Sequence, residues 1–382
     1  MTLLASSPPP GEGCPIPLGF RGLRRLPSHC VWEITNACNL RCVHCESASG
    51  EARPQELTTE EALQVCDDLA TLGCQDVNLS GGEPLLRPDW PLLAERLVAR
   101  GLNPIVVSNL TLLTEDTLGD LERVGVRSVA TSVDGPPPVH DRIRLTSCGT
   151  FSPFARTLEN LRVLKARGLF VSVVTHVSLW NIDHLDTLAH LLEREGVDLW
   201  QLQVGFPEGR LAAIADQYLI RPGQLRTLYE FIRRVKRRGA VRLDTADDIG
   251  FFAEGELEVR QHQGKPRFWA GCMAGWRVLS ISADGTIRGC PSLAIPVGNL
   301  RDEPLVDIWR DQDRFWFNTG WDEDKLEGRC RACAFRRICR GGCKSLALST
   351  TGSVYRNIYC LNQVENLGGD PMRREEHGRL LP

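Results

Sequence analysis

A chain of 382 residues with 48 acidic and 45 basic side chains carries a formal net charge of -3. That balance gives no electrostatic case for a nucleic-acid or acidic-membrane partner. The length allows two domains, or one large barrel with an appendage.

The sequence holds no run of about eighteen apolar residues, so no membrane span is expected. The opening MTLLASSPPPGEG lacks the charged and apolar regions of a secretory signal, which points to a cytoplasmic protein. Fifteen cysteines, an odd number, argue against a disulfide framework in a reducing compartment and for metal instead.

Residues 1–26 are rich in proline and glycine and read as a flexible tail. A repeating pattern then begins. Strands are predicted at Cys30–Thr35, Asp76–Ser80, Pro104–Ser108, Ser128–Ser132, Phe170–Val177 and Leu199–Val204. Most are nearly all apolar, as in strands buried on both faces. Amphipathic helices are predicted between them. In the first, Thr58 and Glu61 form a capping box, Ala62, Val65, Leu69 and Leu72 form the apolar stripe, and Gly73 ends it. Further helices are predicted at Trp90–Ala99, Thr114–Val124, Pro153–Arg167, Ile182–Glu195 and Gly223–Arg238. The last contains the basic run RRVKRR, which reads as a solvated face.

Six β–α units in series imply parallel strands and right-handed crossovers. Six falls short of the eight of a closed barrel, so an incomplete barrel and an open sheet both fit. The expected class is α/β: a partial (β/α)6 TIM-type barrel over residues 27–240, then a linker at 241–268. A loop-rich domain follows at 269–365, where seven of the fifteen cysteines fall, and residues 366–382 read as a second tail.

Directly after the first strand, EITNACNLRCVHCES places Cys38, Cys42 and Cys45 in a C-x3-C-x2-C spacing. A closed zinc site normally uses four ligands in pairs. A [4Fe–4S] cube takes a thiolate on each iron, so three thiolates from one loop leave one iron free for another ligand. The alternative is that a further cysteine completes an ordinary site, and Cys30, at the other end of the strand, is the nearest rival.

This loop resembles the signature of the radical S-adenosylmethionine (radical SAM) superfamily, with His44 where many members carry an aromatic ring. The resemblance implies that Gly81, Gly82, Glu83 and Pro84, the GGEP after the second strand, bind the amino group of S-adenosylmethionine. Glycines allow close backbone approach, and a glutamate can accept from an ammonium. On its own, GGEP is only a turn. By the same resemblance, Ser108 and Asn109 after strand three, and Ser132 and Asp134 after strand four, approach the ribose and carboxylate. Ser132 is the favoured contact, and Asp134 is equally a turn cap. His176 ends strand five and faces either substrate or the rim, and QVGFPEGR (203–210) falls near the adenine position. All these residues lie at the carboxyl ends of strands, where barrel enzymes build their sites.

The later cysteines read Cys272, Cys290, Cys330-x2-Cys333-x5-Cys339-x3-Cys343 and Cys360. They resemble the SPASM domain appended to many radical SAM enzymes. The resemblance implies two auxiliary [4Fe–4S] clusters, one on Cys272, Cys290 and Cys343, the other on Cys330, Cys333, Cys339 and Cys360. With the first loop that makes three clusters. The Cys272 cluster is then one cysteine short, its fourth iron being open, water-bound or held by another side chain. An open iron could bind substrate. A zinc knot is the alternative, but it would leave Cys272, Cys290 and Cys360 without a role. ADGTIRGC (283–290) reads as a hairpin with an Asp-Gly turn, and the glycines of RGGC (340–343) let backbone crowd a cluster. Cys14, Cys66, Cys74 and Cys148 fit no motif and read as ordinary cysteines.

The implied chemistry is reductive cleavage of S-adenosylmethionine to a 5′-deoxyadenosyl radical that abstracts a substrate hydrogen, with the electron coming from a flavodoxin- or ferredoxin-type donor. The auxiliary clusters point to net oxidation. The expected substrate is a ribosomally made peptide or protein, modified by crosslinking, epimerisation or oxidation. Fewer than about thirty residues precede the first strand, where peptide maturases often carry a leader-binding domain, so the peptide reading needs a separate leader-peptide-binding protein or none. The alternatives are a small-molecule or haem-like cofactor precursor and, more remotely, a non-catalytic iron–sulfur electron carrier. No residue is singled out as catalytic acid or base.

Overall fold

The computed structural model describes residues 25–147, 149–261, 265 and 267–366. Cys14, Cys148, nearly all of the expected N-terminal tail and residues 367–382 lie outside the described residues.

Strands β1 (His29–Thr35), β2 (Asp76–Gly81), β3 (Asn103–Val107), β4 (Ser128–Ser132), β5 (Phe170–Val177) and β6 (Leu199–Val204) pair in parallel, each with the next. Helices α1 (Thr59–Leu72), α2 (Trp90–Ala99), α3 (Glu115–Arg123), α4 (Pro137–Ile143), α5 (Pro153–Ala166), α6 (Leu185–Arg194), α7 (Ala215–Tyr218) and α8 (Leu225–Arg238) alternate with them. The capping box of α1 is present in full, and Gly73 closes that helix at φ 77°.

Two features extend the expected six units. Strand β7 (Leu243–Thr245) pairs in parallel with β6 and falls within the stretch read as linker. Strand β8 (Val278–Ile281) pairs in parallel with β1, and β9 (Thr286–Arg288) and β10 (Pro296–Asn299) follow antiparallel. Among the described residues one ten-stranded sheet results, in the order β10-β9-β8-β1-β2-β3-β4-β5-β6-β7, with β10 and β7 at its edges. The cysteine-rich region therefore continues the barrel sheet through β8 and its hairpin. The hairpin's turn places Gly285 at φ 82°.

One expectation needs correcting. Strands β1 and β6 are not buried on both faces, although β4 and β5 carry consecutive buried residues at Val129–Thr131 and Thr175–Val177. Along β1, Cys30, Trp32 and Ile34 are buried while His29, Val31 and Glu33 are half-exposed. Along β6, Trp200, Leu202 and Val204 are buried while Leu199, Gln201 and Gln203 are half-exposed. The helices cover one face only; Trp200, for example, meets Phe231 of α8 edge-on at 5.8 Å. On the other face of these two strands the side chains stay partly exposed.

The basic run at the end of α8 is an ion-paired face: Arg233 and Arg237 reach Glu258, Arg234 reaches Asp186, and Arg238 reaches Glu193. Beyond β7, Gly250, Phe251 and Phe252 stand at φ 92°, 103° and 53° in succession. Positive φ in two bulky residues costs on the order of 1–3 kcal/mol each, so surrounding contacts must hold this turn. Among the described residues, no helix is long and apolar enough to cross a membrane.

Candidate active site and cysteine clusters

The first cysteine loop leaves the carboxyl end of β1 and is pinned from both sides. Cys38 N donates to Gly50 O at 2.8 Å, and Gly50 N donates to Asn36 O at 2.9 Å. Two backbone N–H groups point at sulfur, Leu40 N at Cys38 Sγ and Ser49 N at Cys45 Sγ, both at 3.4 Å. From the QVGFPEGR segment, Arg210 donates to Cys42 O and Ser49 O at 2.8 Å each. A Cβ on Gly209 would lie 2.1 Å from Glu46 O, so only glycine fits there. Arg210 thus holds the cysteine loop in place, a role its distance in sequence gave no means to read.

Cys38, Cys42 and Cys45 are free thiols that act on one another. Burial, then the charges of Cys42, Glu83 and Cys45, pushes the Cys38 thiol up to about 12 against the Leu40 N–H. Burial also raises Cys42, with Arg144 and Arg210 opposing. A bound iron group would supply the cation that clustered thiolates need.

The GGEP segment is built against this loop. Gly82 N donates to Thr35 O at 2.8 Å and Glu83 N to Ala37 O at 2.7 Å. A Cβ on Gly81 or Gly82 would stand 2.1 Å from the carbonyl oxygen of Thr35 or Ala37. The glycines therefore let β2 cross closely over the cysteine loop, and the space beside them is filled by that loop's own backbone. Buried Pro84 opens the short turn that follows.

Glu83 is 0 % exposed. Its Oε1 accepts from Ser108 Oγ at 2.8 Å and Leu85 N at 3.2 Å, and its Oε2 accepts from Asn109 N at 2.8 Å. Burial raises its pKa to about 7 against these three donors. A carboxylate has about four acceptor positions, so one remains on Oε2. Ser108 is thereby turned to Glu83. The Asn109 side chain donates to Asn39 Oδ1 of the cysteine loop at 2.9 Å. Ser132 ends β4 half-exposed on the open face.

Asp134 has a different place from either role expected of it. It is 0 % exposed and pairs with Arg144 at 2.6 Å. It also accepts from His176 N at 3.0 Å, and its own N–H donates to His140 Nδ1 at 3.2 Å. The Arg144 guanidinium overcomes burial and holds its carboxyl well below the usual range. Asp134 thus anchors a buried aromatic group that motif reading missed. His44 lies 4.7 Å from His176 and stacks on Tyr218 at 5.9 Å, and His176 lies 5.4 Å from Tyr218. Both ring nitrogens of His176 are buried without a hydrogen-bond partner among the described residues. A Cβ on Gly205 would reach His176 Nε2 at 2.1 Å. Histidine at a strand end, and at the residue before Cys45, was the available signal.

The later cysteines fall into two sets of charge neighbours. Cys290 and Cys343 each feel Cys272, and Cys343 also feels Cys290. Separately, Cys339 feels Cys360, Cys330 and Cys333, and Cys360 feels Cys330 and Cys333. All seven are free thiols. Among the described residues no group of His, Cys, Asp or Glu converges tightly enough for a single metal ion; a cube is wider and takes thiolates at its corners. Arg340, Gly341 and Gly342, before Cys343, stand at φ 59°, 83° and 74°. Cys30, Cys66 and Cys74 are buried in the hydrophobic core.

The chain matches the radical SAM superfamily over residues 32–192 and the SPASM iron–sulfur cluster-binding domain over residues 272–334. It is 30 % identical over 351 residues to the AdoMet-dependent heme synthase of Methanosarcina barkeri, covering 89 % of this chain and 97 % of the relative. It is 32 % identical over 329 residues to the mycofactocin maturase MftC of Mycolicibacterium smegmatis, covering 84 % and 79 %. Streptococcus suis SuiB bound to precursor peptide SuiA shares the fold, with a TM-score of 0.65 and 16 % identity over 87 % of this chain and 75 % of that one. With its two matched domains and a relative spanned almost end to end, the chain belongs to the radical SAM superfamily and is a radical SAM/SPASM enzyme.

Proposed function

We propose that this enzyme carries three [4Fe–4S] clusters and oxidatively modifies a ribosomally made peptide. In this reading Cys38, Cys42 and Cys45 hold the first cluster, Cys272, Cys290 and Cys343 the second, and Cys330, Cys333, Cys339 and Cys360 the third. The observation that carries it is the separation of ten buried or half-buried free thiols into three groups of mutual neighbours. S-adenosylmethionine bound at the first cluster would supply the hydrogen-abstracting radical, with electrons from a flavodoxin- or ferredoxin-type donor.

The chain's own residues position and insulate. Glu83 offers the remaining acceptor position of Oε2 to the amino group of the cofactor, while Ser108 and Asn109 fix its rotamer. Gly81, Gly82 and Pro84 bring that carboxylate against the cysteine loop. Ser132 is the proposed polar contact of strand four, and Asp134 acts through Arg144 and His176. Net oxidation suits the auxiliary clusters, which can take up the substrate's electron.

The 32 % identity to a mycofactocin maturase and the fold shared with a peptide-bound SuiB support the peptide substrate. A second reading, a haem-like cofactor precursor, is supported by the heme synthase relative, 97 % of which is spanned. Anaerobic reconstitution with S-adenosylmethionine and dithionite should yield 5′-deoxyadenosine; its absence from fully iron-loaded enzyme would sink the enzyme reading. Offered in turn a neighbouring gene's short peptide and a tetrapyrrole precursor, the enzyme should change the mass of the peptide. Turnover of the tetrapyrrole alone overturns the first substrate and establishes the second.

A further inference from the structure

The set Cys272, Cys290 and Cys343 offers three thiols to a cube that presents four irons. Beside it the structure carries one acidic side chain with an unused, buried oxygen. Asp248 lies three residues beyond β7 and is 3 % exposed. Its Oδ2 accepts from Val204 N, at the end of β6, at 2.9 Å. Its Oδ1 is buried and has no hydrogen-bond partner among the described residues.

This carboxylate is a charge neighbour of Cys343. The segment that carries it packs on the residue before that cysteine: a Cβ on Gly342 would meet the Phe251 ring at 2.9 Å. The three left-handed residues 250–252 hold the chain in that position. Glu46, another acidic neighbour of this set, acts on Cys290 and is more exposed than Asp248. A buried carboxyl oxygen without a donor is stabilised by taking up a proton or a cation, and iron accepts carboxylate ligands.

We infer that Asp248 is the fourth protein ligand of the auxiliary cluster on Cys272, Cys290 and Cys343, binding through Oδ1 while Val204 N–H retains Oδ2. This rests on the three-cluster reading. It closes the site, so substrate does not enter as a ligand of that iron.

The test uses the full chain with Cys38, Cys42 and Cys45 changed to alanine, so that only auxiliary clusters report. Reduced protein is examined by electron paramagnetic resonance with and without cyanide, a small ligand for open iron. The parent spectrum should not change with cyanide. D248A should respond to cyanide, and D248N should differ from the parent in spectrum and midpoint potential. D248C should keep full iron content and ignore cyanide, while E46Q should match the parent. A parent that binds cyanide as D248A does, or a D248N spectrum and potential equal to the parent's, overturns the inference. If D248A fails to fold, D248N and D248C decide. The double variant C290A/C343A separates the two claims: with too few ligands left it should lose about four irons. Unchanged iron there defeats the three-cluster reading itself, whereas iron loss in C290A/C343A beside silent Asp248 variants defeats only the ligand assignment.

Discussion

Replacing Glu83 by Gln keeps the shape of the side chain and removes one acceptor oxygen. In the native site Oε1 takes Ser108 Oγ and Leu85 N, while Oε2 takes Asn109 N. An amide has a single oxygen, so in either flip at least one buried N–H, Leu85 or Asn109, faces an NH2 group. An unsatisfied buried donor costs about 1–3 kcal/mol. At roughly 2–4 °C per kcal/mol for domains of 150–250 residues, the cofactor-free protein should melt a few degrees lower. Cofactor binding should suffer separately. A charge-assisted bond to an ammonium contributes about 1.5–3 kcal/mol, so E83Q should bind S-adenosylmethionine roughly 10- to 150-fold more weakly. Anaerobic equilibrium titration of iron-replete protein measures this, with thermal unfolding of the unliganded protein alongside. Ser108→Ala is the control: it removes a donor but keeps the charge, so it should weaken binding less. If E83Q binds the cofactor as tightly as the wild type at equal iron content, Glu83 does not receive the amino group and the reasoning fails.

Arg210→Ala removes two bonds that hold the cysteine loop, to Cys42 O and Ser49 O. Each contributes about 1.5–3 kcal/mol, so first-cluster iron should fall while the auxiliary-cluster spectrum persists; equal loss from all clusters would show only a general stabilising role. Gly205→Ala would place a Cβ 2.1 Å from His176 Nε2. Overpacking of this kind costs about 1–3 kcal/mol, and an unchanged melting temperature would contradict the packing described. Asp134→Asn leaves the Arg144 guanidinium without its counter-charge and should cost about 3–5 kcal/mol by denaturant unfolding of cluster-free protein. Because the folded carboxyl is held below 3.8, its contribution is present above that pH and is lost as the pH falls through the lowered folded value. The variant should therefore lack this part of the wild-type acid sensitivity, and identical acid unfolding of the two would refute the pair's importance.

Much of the barrel was legible because its signals are local. The bounds of β4, β5 and β6 agree residue for residue with the predicted strands, and the Thr58–Glu61 box and Gly73 mark the ends of α1 as read. Cysteine spacing and GGEP, read together, were enough to recognise the superfamily. Strand β7, three residues long, has no period to detect, and α4 begins in a proline run. The alternation of β1 and β6 was present in the sequence, but apolar content alone concealed which face met water.

What the amino-acid order determined by itself were the elements and the chemistry of each motif, since both depend on neighbours a few residues apart. Tertiary structure alone decided which distant groups meet. It set Arg210 on the backbone of the first cysteine loop, filled the space beside Gly81 and Gly82 with that loop, and turned Ser108 to Glu83. It sent Asp134 to Arg144 and His176. It also brought Asp248 beside Cys343, 95 residues later in the numbering. Such contacts arise from how strands and loops pack across the sheet, and no local period encodes them.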